Sequence, residues 1–244
     1  MTPPNMFQPL RSEKKIFQRI SDQIRELIFS GVLKPGDKLP SEKEIAGQFR
    51  TGRMVVREAL RILEQSGLVY IKQGSLGGAF VRSPDTTVIT RSISDLVKIG
   101  DVTIRELTET RLGIEKVILE FAISRITQDD LDLLKKNIED SEKTILDGKR
   151  ATKEHLDFHI LIAQSTKNRL FEMIIESIMN VVFSYMQKVK PTKEDSIKVL
   201  NSHKEIYKAI QERNLARAKK ELEKHFLDVN SELLSSFGSL NSSV

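Results

Sequence analysis

The sequence predicts a mainly α-helical protein in two parts, with a short β-hairpin near the end of the first part. Three observations support this fold class. Apolar residues recur at helical spacing along most of the 244-residue chain. Near residue 70 the pattern changes to short runs of β-forming residues separated by a segment with three glycines. All the surplus positive charge lies in residues 1–82, which hold 14 Lys/Arg against 8 Asp/Glu, whereas the remainder holds 25 against 26.

The first part is predicted to begin with a mobile, proline-containing arm at residues 1–12. Three helices should follow, at about 15–30, 42–48 and 53–66. A capping box marks the start of the second helix, because Ser41 precedes Glu44 by three residues. The third helix is predicted to end before Gly67 and to face the core with Val56, Leu60 and Leu63.

Two strands, at 68–71 and 79–81, are predicted to form a hairpin with glycines at its tip. Three helices followed by such a hairpin constitute a winged helix-turn-helix, with expected limits 13–82. A linker at 83–89, an all-helical bundle domain at 90–238 and a tail at 239–244 are predicted to follow. The helices of that domain are expected at roughly 90–99, 103–125, 128–147, 151–165, 168–189, 193–211 and 214–236.

The composition restricts the class of protein. Cysteine is absent, which excludes disulfides and thiolate metal ligands. No segment approaches the roughly 18 uninterrupted apolar residues of a membrane helix, and the first residues lack the pattern of a secretory signal. We therefore expect a cytoplasmic protein with no membrane partner. The basic first part suits a polyanionic partner, although an inert basic surface would have the same charge.

Two runs in the first part stand out, LKPGDKLPSE at Leu33–Glu42 and VVREALRILE at Val55–Glu64. Together with Gly67 and the glycine-rich hairpin, they resemble the GntR family of transcriptional regulators. The resemblance covers about residues 15–82. It implies a DNA-binding winged helix-turn-helix that binds double-stranded operator DNA.

Four residues match positions at which related regulators contact DNA: Lys43, Arg53, Arg57 and Gly74. The two arginines lie four apart near the start of the third helix, where an arginine grips a guanine or a phosphate. The lysine suits a phosphate, and the glycine would let backbone approach the minor groove. The chain departs from the family at Gly52, where a hydroxyl residue is usual, and at Met54, which is able to touch a thymine methyl. We expect a homodimer on a palindromic operator.

The four histidines of the chain all lie in the helical part: His155, His159, His203 and His225. The first two are four residues apart on one predicted helix, so their rings project from the same face, as a metal chelate requires. The other two lie on separate helices that a bundle core is able to bring together. Spacing alone leaves both a metal site and ordinary structural or surface histidines open.

The helical part also resembles the FCD ligand-binding domain of the FadR subgroup. The resemblance rests on Glu109-Thr110-Arg111, on Phe158-His159, and on Asn168 with Leu170. In that subgroup an aspartate and three histidines commonly bind a divalent metal. The aspartate position is His155 here, and the other ligand positions are His159, His203 and His225.

The resemblance therefore implies a divalent metal held by four imidazoles, which favour zinc, with nickel or iron as alternatives. Asp157 is not expected to be a ligand, because two residues along a helix correspond to about 200° of rotation. Arg111 stands on a largely apolar helix face. It is interpreted either as a salt-bridge residue or, as the resemblance favours, as a second anchor for an effector carboxylate.

The predicted function is a regulator, not an enzyme, whose DNA affinity changes when a small organic acid binds at the metal. Two alternatives remain. The first is a metal-sensing regulator, in which the metal itself would be the signal. The second is a metalloenzyme tethered to DNA, which would use open coordination positions of the metal for catalysis. The second lacks support, because no protease-type Glu/His motif, nucleophile elbow or phosphate loop is present.

Overall fold

The computed structural model describes residues 15–74, 76–189 and 192–241. At 188–189 and 229–241 it describes the backbone alone. The predicted arm at 1–12 and positions 242–244 of the predicted tail lie outside this range. In chain order the elements are α1 (Ile16–Phe29), α2 (Glu42–Gln48), α3 (Arg53–Gln65), β1 (Val69–Lys72), β2 (Gly78–Val81), α4 (Thr87–Lys98), α5 (Ile104–Arg125), α6 (Gln128–Leu146), α7 (Thr152–Ser165), α8 (Arg169–Val189), α9 (Lys193–Gln211) and α10 (Leu215–Asn241). The predicted fold class is confirmed.

The first unit ends at Val88, and the second begins at Ile89. This division does not test the predicted domain limits of 13–82 and 90–238, which remain predictions. Among the described helices, none has the length and hydropathy needed to cross a membrane.

The core of the first unit is formed by one face of each of its three helices and by the hairpin. α1 and α2 both pack against α3. The capping box at Ser41 is present, since the Glu44 amide donates to Ser41 Oγ at 3.3 Å and the Ser41 amide donates to Glu44 Oε2 at 2.7 Å. The three residues predicted to face inward from α3 are buried, and the core comprises Ile20, Ile24, Leu39, Ile45, Ala46, Val56, Ala59, Leu60, Leu63, Val69, Ala79 and Val81.

The hairpin is antiparallel, with Val69 opposite Val81 and Lys72 opposite Gly78. Its tip requires glycine at Gly77, where an added Cβ would lie 2.3 Å from the carbonyl oxygen of Lys72. After the hairpin, α4 begins at Thr87, three residues earlier than predicted, because the Asp85 carboxylate accepts a hydrogen bond from the Thr87 amide at 3.0 Å.

The C-terminus of α3 depends on another glycine. Gly67 has a φ of +73°, a backbone conformation that side chains rarely adopt. A Cβ at Gly67 would also lie only 2.6 Å from Cγ2 of Val88 in the first turn of α4. The absence of a side chain therefore permits both the turn after α3 and the close approach of Val88.

The second unit is a helical bundle whose helices begin largely at side-chain caps. Capping boxes start α5, α6 and α9, at Thr103, Thr127 and Thr192. α10 extends to Asn241 and is longer than predicted. α5 packs against α7 and α10, and α9 packs against α6, α7 and α10. This packing brings α5, α7, α9 and α10 together around the polar cluster described below.

Candidate DNA interface and candidate metal centre

The residues predicted to contact DNA are exposed on the first unit. Lys43 is the second residue of α2, and Arg53 is the first residue of α3, where Gly52 caps the helix without a side-chain hydrogen bond. Gly74 has a φ of +101°, and no described heavy atom lies within 4 Å of the position of an added Cβ. The backbone at this end of the hairpin is thus open to a ligand, while the neighbouring Ser75 lies outside the described residues.

Arg57 is exposed but not free. Its Nε donates to Glu42 Oε1 at 3.0 Å, and its Nη2 donates to Glu42 Oε2 at 2.7 Å. This two-pronged ion pair joins the first residue of α2 to α3, and the hydrogen bond from Arg57 lowers the pKa of the Glu42 carboxyl. Sequence reasoning treated Arg57 as a DNA contact and missed its acidic partner.

Two neighbours on α3 complete this surface. Met54 is 68% exposed, and its Sδ lies 3.8 Å from Arg57 Nη1. Arg61, one turn beyond Arg57, is exposed and lies 3.8 Å from the Glu58 carboxylate, at the limit of an ion pair. Arg61 therefore has the surroundings of a solvated surface residue.

The four histidines converge in the core of the second unit. His155 and His159 project from α7, His203 from α9 and His225 from α10, and all four are buried. Ring centroids are 5.0 Å apart for His159 and His203, 5.1 Å for His159 and His225, and 4.8 Å for His203 and His225. One ligand atom from each of these three lies within 4.8 Å of the others.

His155 sits at the margin of this triad, with its ring centroid 5.4 Å from that of His203. Its Nε2 and that of His203 are buried without a hydrogen-bond partner in the part of the chain described. A buried polar atom without a partner costs free energy, so its presence calls for an explanation. Orphaned imidazole nitrogens facing a cluster of further imidazoles fit a cation of the zinc class.

The other nitrogens of two rings are already engaged. Nδ1 of His159 lies 2.6 Å from Glu115 Oε2, an acceptor when ionised. Nδ1 of His225 lies 2.8 Å from Ser202 Oγ, whose own proton is donated to the Val199 carbonyl at 2.8 Å. Both rings therefore carry their proton on Nδ1, which leaves Nε2 as the lone-pair donor. This arrangement orients a metal-binding histidine.

Arg111 forms an ion pair on its own helix, with a partner that the sequence interpretation did not name. Its Nε donates to Glu115 Oε1 at 2.6 Å one turn along α5, and both side chains are buried. Its guanidinium carbon lies 4.5 Å above the ring of Phe226, which follows His225. Burial alone would raise the pKa of Glu115, but His159 and Arg111 outweigh it and leave that pKa lowered.

The buried imidazoles favour the neutral form. Burial lowers the pKa of His155 to about 3 and places those of His203 and His225 well below their ordinary range. Burial also lowers the pKa of His159, although Glu115 opposes this effect. Neutral imidazoles are the form that binds a metal. Asp157, by contrast, is partly exposed and pairs with Lys153.

Comparisons with known proteins agree with this architecture. The profile of the family described as bacterial regulatory proteins, gntR family, matches residues 16–81, and that of the FCD domain matches 106–228. The Uxu operon regulator of Haemophilus influenzae is 30% identical over 224 residues, covering 90% of this chain and 82% of that protein. The HTH-type transcriptional regulator LutR of Bacillus subtilis is 27% identical over 212 residues, covering 85% of this chain and 96% of LutR.

A solved structure described as Streptococcus agalactiae GntR has 28% sequence identity and a TM-score of 0.60, and the match covers 88% of this chain and 99% of that one. The family profiles and the relatives name regulators of transcription, not enzymes. The chain belongs to the GntR family of bacterial regulatory proteins: it is a transcriptional regulator with an N-terminal DNA-binding winged helix-turn-helix and an FCD ligand-binding domain.

Proposed function

We propose that this regulator binds a palindromic operator as a homodimer and that a small organic acid, bound in the FCD domain, changes its DNA affinity. The observation that carries the proposal is the buried cluster of four histidines beside Arg111. His155, His159, His203 and His225 would hold one divalent cation, most simply zinc, with nickel or iron as alternatives. When bound, the cation would supply a positive centre that attracts a carboxylate.

Arg111 is suited to the other end of that carboxylate. Only its Nε is used by Glu115 in the described hydrogen bonds, so its terminal nitrogens are available for a planar acceptor. Four neutral imidazoles around a divalent cation give a formal charge of +2, and the sequence interpretation assigned an effector anion to offset it. Glu115 places a negative charge beside His159, but Arg111 balances it, so the site with its cation keeps a net charge of +2 for the effector to offset.

For DNA we propose contacts from Lys43, Arg53, Arg57 and Gly74, with the arginines at the N-terminal turn of the recognition helix α3. The effector must favour one arrangement of the dimer over another, since a ligand with equal affinity for both shifts nothing. By thermodynamic linkage, operator DNA then changes effector affinity by the same factor.

The DNA-binding half is tested by selecting operators from a random duplex library with the full-length protein. We expect an inverted repeat, and Arg57→Ala should weaken specific binding by about 1–3 kcal/mol per half-site. Arg61→Ala is the matched control, which should change specific binding little. A wild-type protein that enriches no sequence over random DNA contradicts the proposal.

The sensing half is tested with operator binding and thermal shift in a library of small carboxylates, with and without a chelator. Hits should stabilise the metal-loaded protein, change operator affinity, and be lost in Arg111→Ala. Because Arg111→Ala removes the cationic partner of the buried Glu115, we also measure Arg111→Lys, which should retain the fold while weakening carboxylate binding. Carboxylates that bind the chelated protein or Arg111→Lys equally well exclude the bridge. If the metal alone changes operator affinity and no carboxylate does, the protein is a metal sensor.

A further inference from the structure

The ion pair between Glu42 and Arg57 sits on the face that we propose contacts DNA. Glu42 is flanked by the exposed Lys43 and lies opposite the recognition helix. A carboxylate here would repel the phosphates that the neighbouring cations attract. Its presence on a basic surface therefore has a cost in DNA affinity.

The pair contributes little to the fold. Its side chains are 44% and 32% exposed, and exposed ion pairs typically stabilise proteins by about 0–1 kcal/mol. α2 is already held to the core by Ile45 and Ala46, which are buried with Leu60 and Leu63 of α3. As the first residue of α2, Glu42 also interacts favourably with the helix dipole, a contribution of about 0.3–1 kcal/mol that requires no partner on α3.

The geometry of the guanidinium gives the alternative. Glu42 occupies the side of the group formed by Nε and Nη2, at 3.0 and 2.7 Å. The end of the group, formed by Nη1 and the second hydrogen of Nη2, keeps two parallel donors. Among the hydrogen bonds of the described residues, Nη1 donates to Met54 Sδ at 3.8 Å, and a thioether is a weak acceptor that a base is able to displace.

Two parallel donors at the end of an arginine match O6 and N7 of guanine in the major groove. We infer that Glu42 is a positioning residue that holds Arg57 end-on for one guanine in each half-site, at the cost of weaker binding to random DNA. The inference rests on the proposed role of Arg57 in DNA binding. The preference for a DNA sequence would then come from the Glu42–Arg57 pair, since an arginine without this partner would bind a phosphate as readily as a base.

The experiment compares the wild type with Glu42→Gln and Glu58→Gln, each as full-length protein. Both variants remove one negative charge from an exposed residue that faces an arginine, but Glu58 faces Arg61. Libraries of random duplexes are enriched with each protein, and affinities for the wild-type operator, for the operator with the guanine replaced, and for random DNA are measured at several salt concentrations.

For Glu42→Gln we expect roughly a tenfold loss of discrimination at one guanine per half-site, which is the scale of one bidentate contact. Binding to random DNA should become tighter. Glu58→Gln should also bind random DNA more tightly but keep the guanine preference. Equal melting temperatures of the two variants would separate this loss from unfolding.

Three results would overturn the inference. Glu42→Gln keeps full discrimination at every position, Arg57→Ala keeps the same guanine as the wild type, or Glu58→Gln loses the guanine as completely as Glu42→Gln. A wild type without any sequence preference contradicts instead the proposed DNA-binding function, so the two failures are distinguishable.

Discussion

The two units of this regulator place their functional polar groups in opposite surroundings. In the first unit Lys43, Arg53 and Arg57 are exposed, and the ion pair of Arg57 lies in solvent. In the second unit the histidines, Arg111 and Glu115 are all buried. Water screens the charges of the first group, so their ion pairs contribute little to the stability of the fold.

The buried group depends instead on mutual compensation. A charge or an unpaired nitrogen inside a core costs several kcal/mol unless a partner offsets it, so neighbouring residues must match. Substitutions in the first unit are therefore expected to change DNA binding and leave folding almost unchanged. Substitutions in the second unit are expected to change folding and ligand binding together.

The largest difference between the units should appear in metal-free protein at low pH. The pKa values of His155, His203 and His225 are lowered in the folded protein. At low pH these histidines therefore bind protons in the unfolded chain while they stay neutral in the folded chain. The contribution of these neutral histidines to the free energy of unfolding is fully present above the ordinary histidine pKa of about 6.5. It is lost progressively as the pH falls below that value. Each histidine contributes up to about 1.4 kcal/mol per pH unit.

Hydrogen exchange at pH 7.5, 6.5 and 5.5 resolves the two units within the intact chain. Protection should fall with pH in α7, α9 and α10 and stay nearly constant in α1 to α3, where no histidine occurs. An equal fall in both units would show that the buried histidines are not responsible.

Removing the metal is expected to have the next largest effect. A ligand of the folded state at 100 times its dissociation constant stabilises the fold by about 2.7 kcal/mol. Elemental analysis should find one divalent metal per chain, and a chelator should lower the melting temperature of the wild type. His203→Ala should contain no metal and should not respond to the chelator. A wild type that neither retains nor takes up metal contradicts the proposed centre.

The residues that orient the histidines should have a smaller effect, because they act through the ligands. Glu115→Gln removes the negative charge and leaves one acceptor oxygen for both Arg111 and His159, and Ser202→Ala removes the acceptor of His225 Nδ1; each should weaken metal binding by about 10–100-fold. Competition with a chromophoric chelator measures this loss. Ser124→Ala, on the exposed side of α5, is the control and should bind metal like the wild type. Unchanged affinity in both test variants would assign these contacts to the fold alone.

The smallest effect should be the same in both units, because helix caps are exposed in each. Ser41→Ala and Thr127→Ala each remove a side chain that accepts a hydrogen bond from a helix amide. We expect a loss of about 1 kcal/mol in the unit that contains the substitution. Chemical denaturation followed by hydrogen exchange reports the loss in each unit. A much larger loss at Thr127 would mean that caps of the second unit share its buried network.

Much of the fold was predictable because it depends on local patterns. Helical periodicity located α5 to α9 within about a residue at either end, and the capping box at Ser41 was recognised. The start of α4 was missed because Asp85, whose carboxylate accepts from the Thr87 amide, falls in a stretch that has the composition of a linker. The end of α10 was placed too early, although Leu233, Phe237 and Leu240 continue the helical spacing, because Gly238 and the neighbouring serines are poor helix formers.

The partners of the functional residues were not predictable in the same way. Glu42 and Arg57 are 15 positions apart, and Glu115 and His159 are 44 apart. Such pairs depend on helix packing, which periodicity does not specify. Arg111 and Glu115, four apart on one helix, did offer a signal, because an i,i+4 pair of opposite charge is expected to interact. That signal was available in the sequence and was not used.

The contact between Gly67 and Val88 also restricts how this sequence is able to vary over evolution. Two constraints act on Gly67, the φ of +73° and the 2.6 Å approach of the valine methyl. Replacing Val88 by a smaller residue relieves the second constraint and leaves the first in place. The pair should therefore show one-sided covariation among close relatives, with position 88 free to become smaller while position 67 stays glycine.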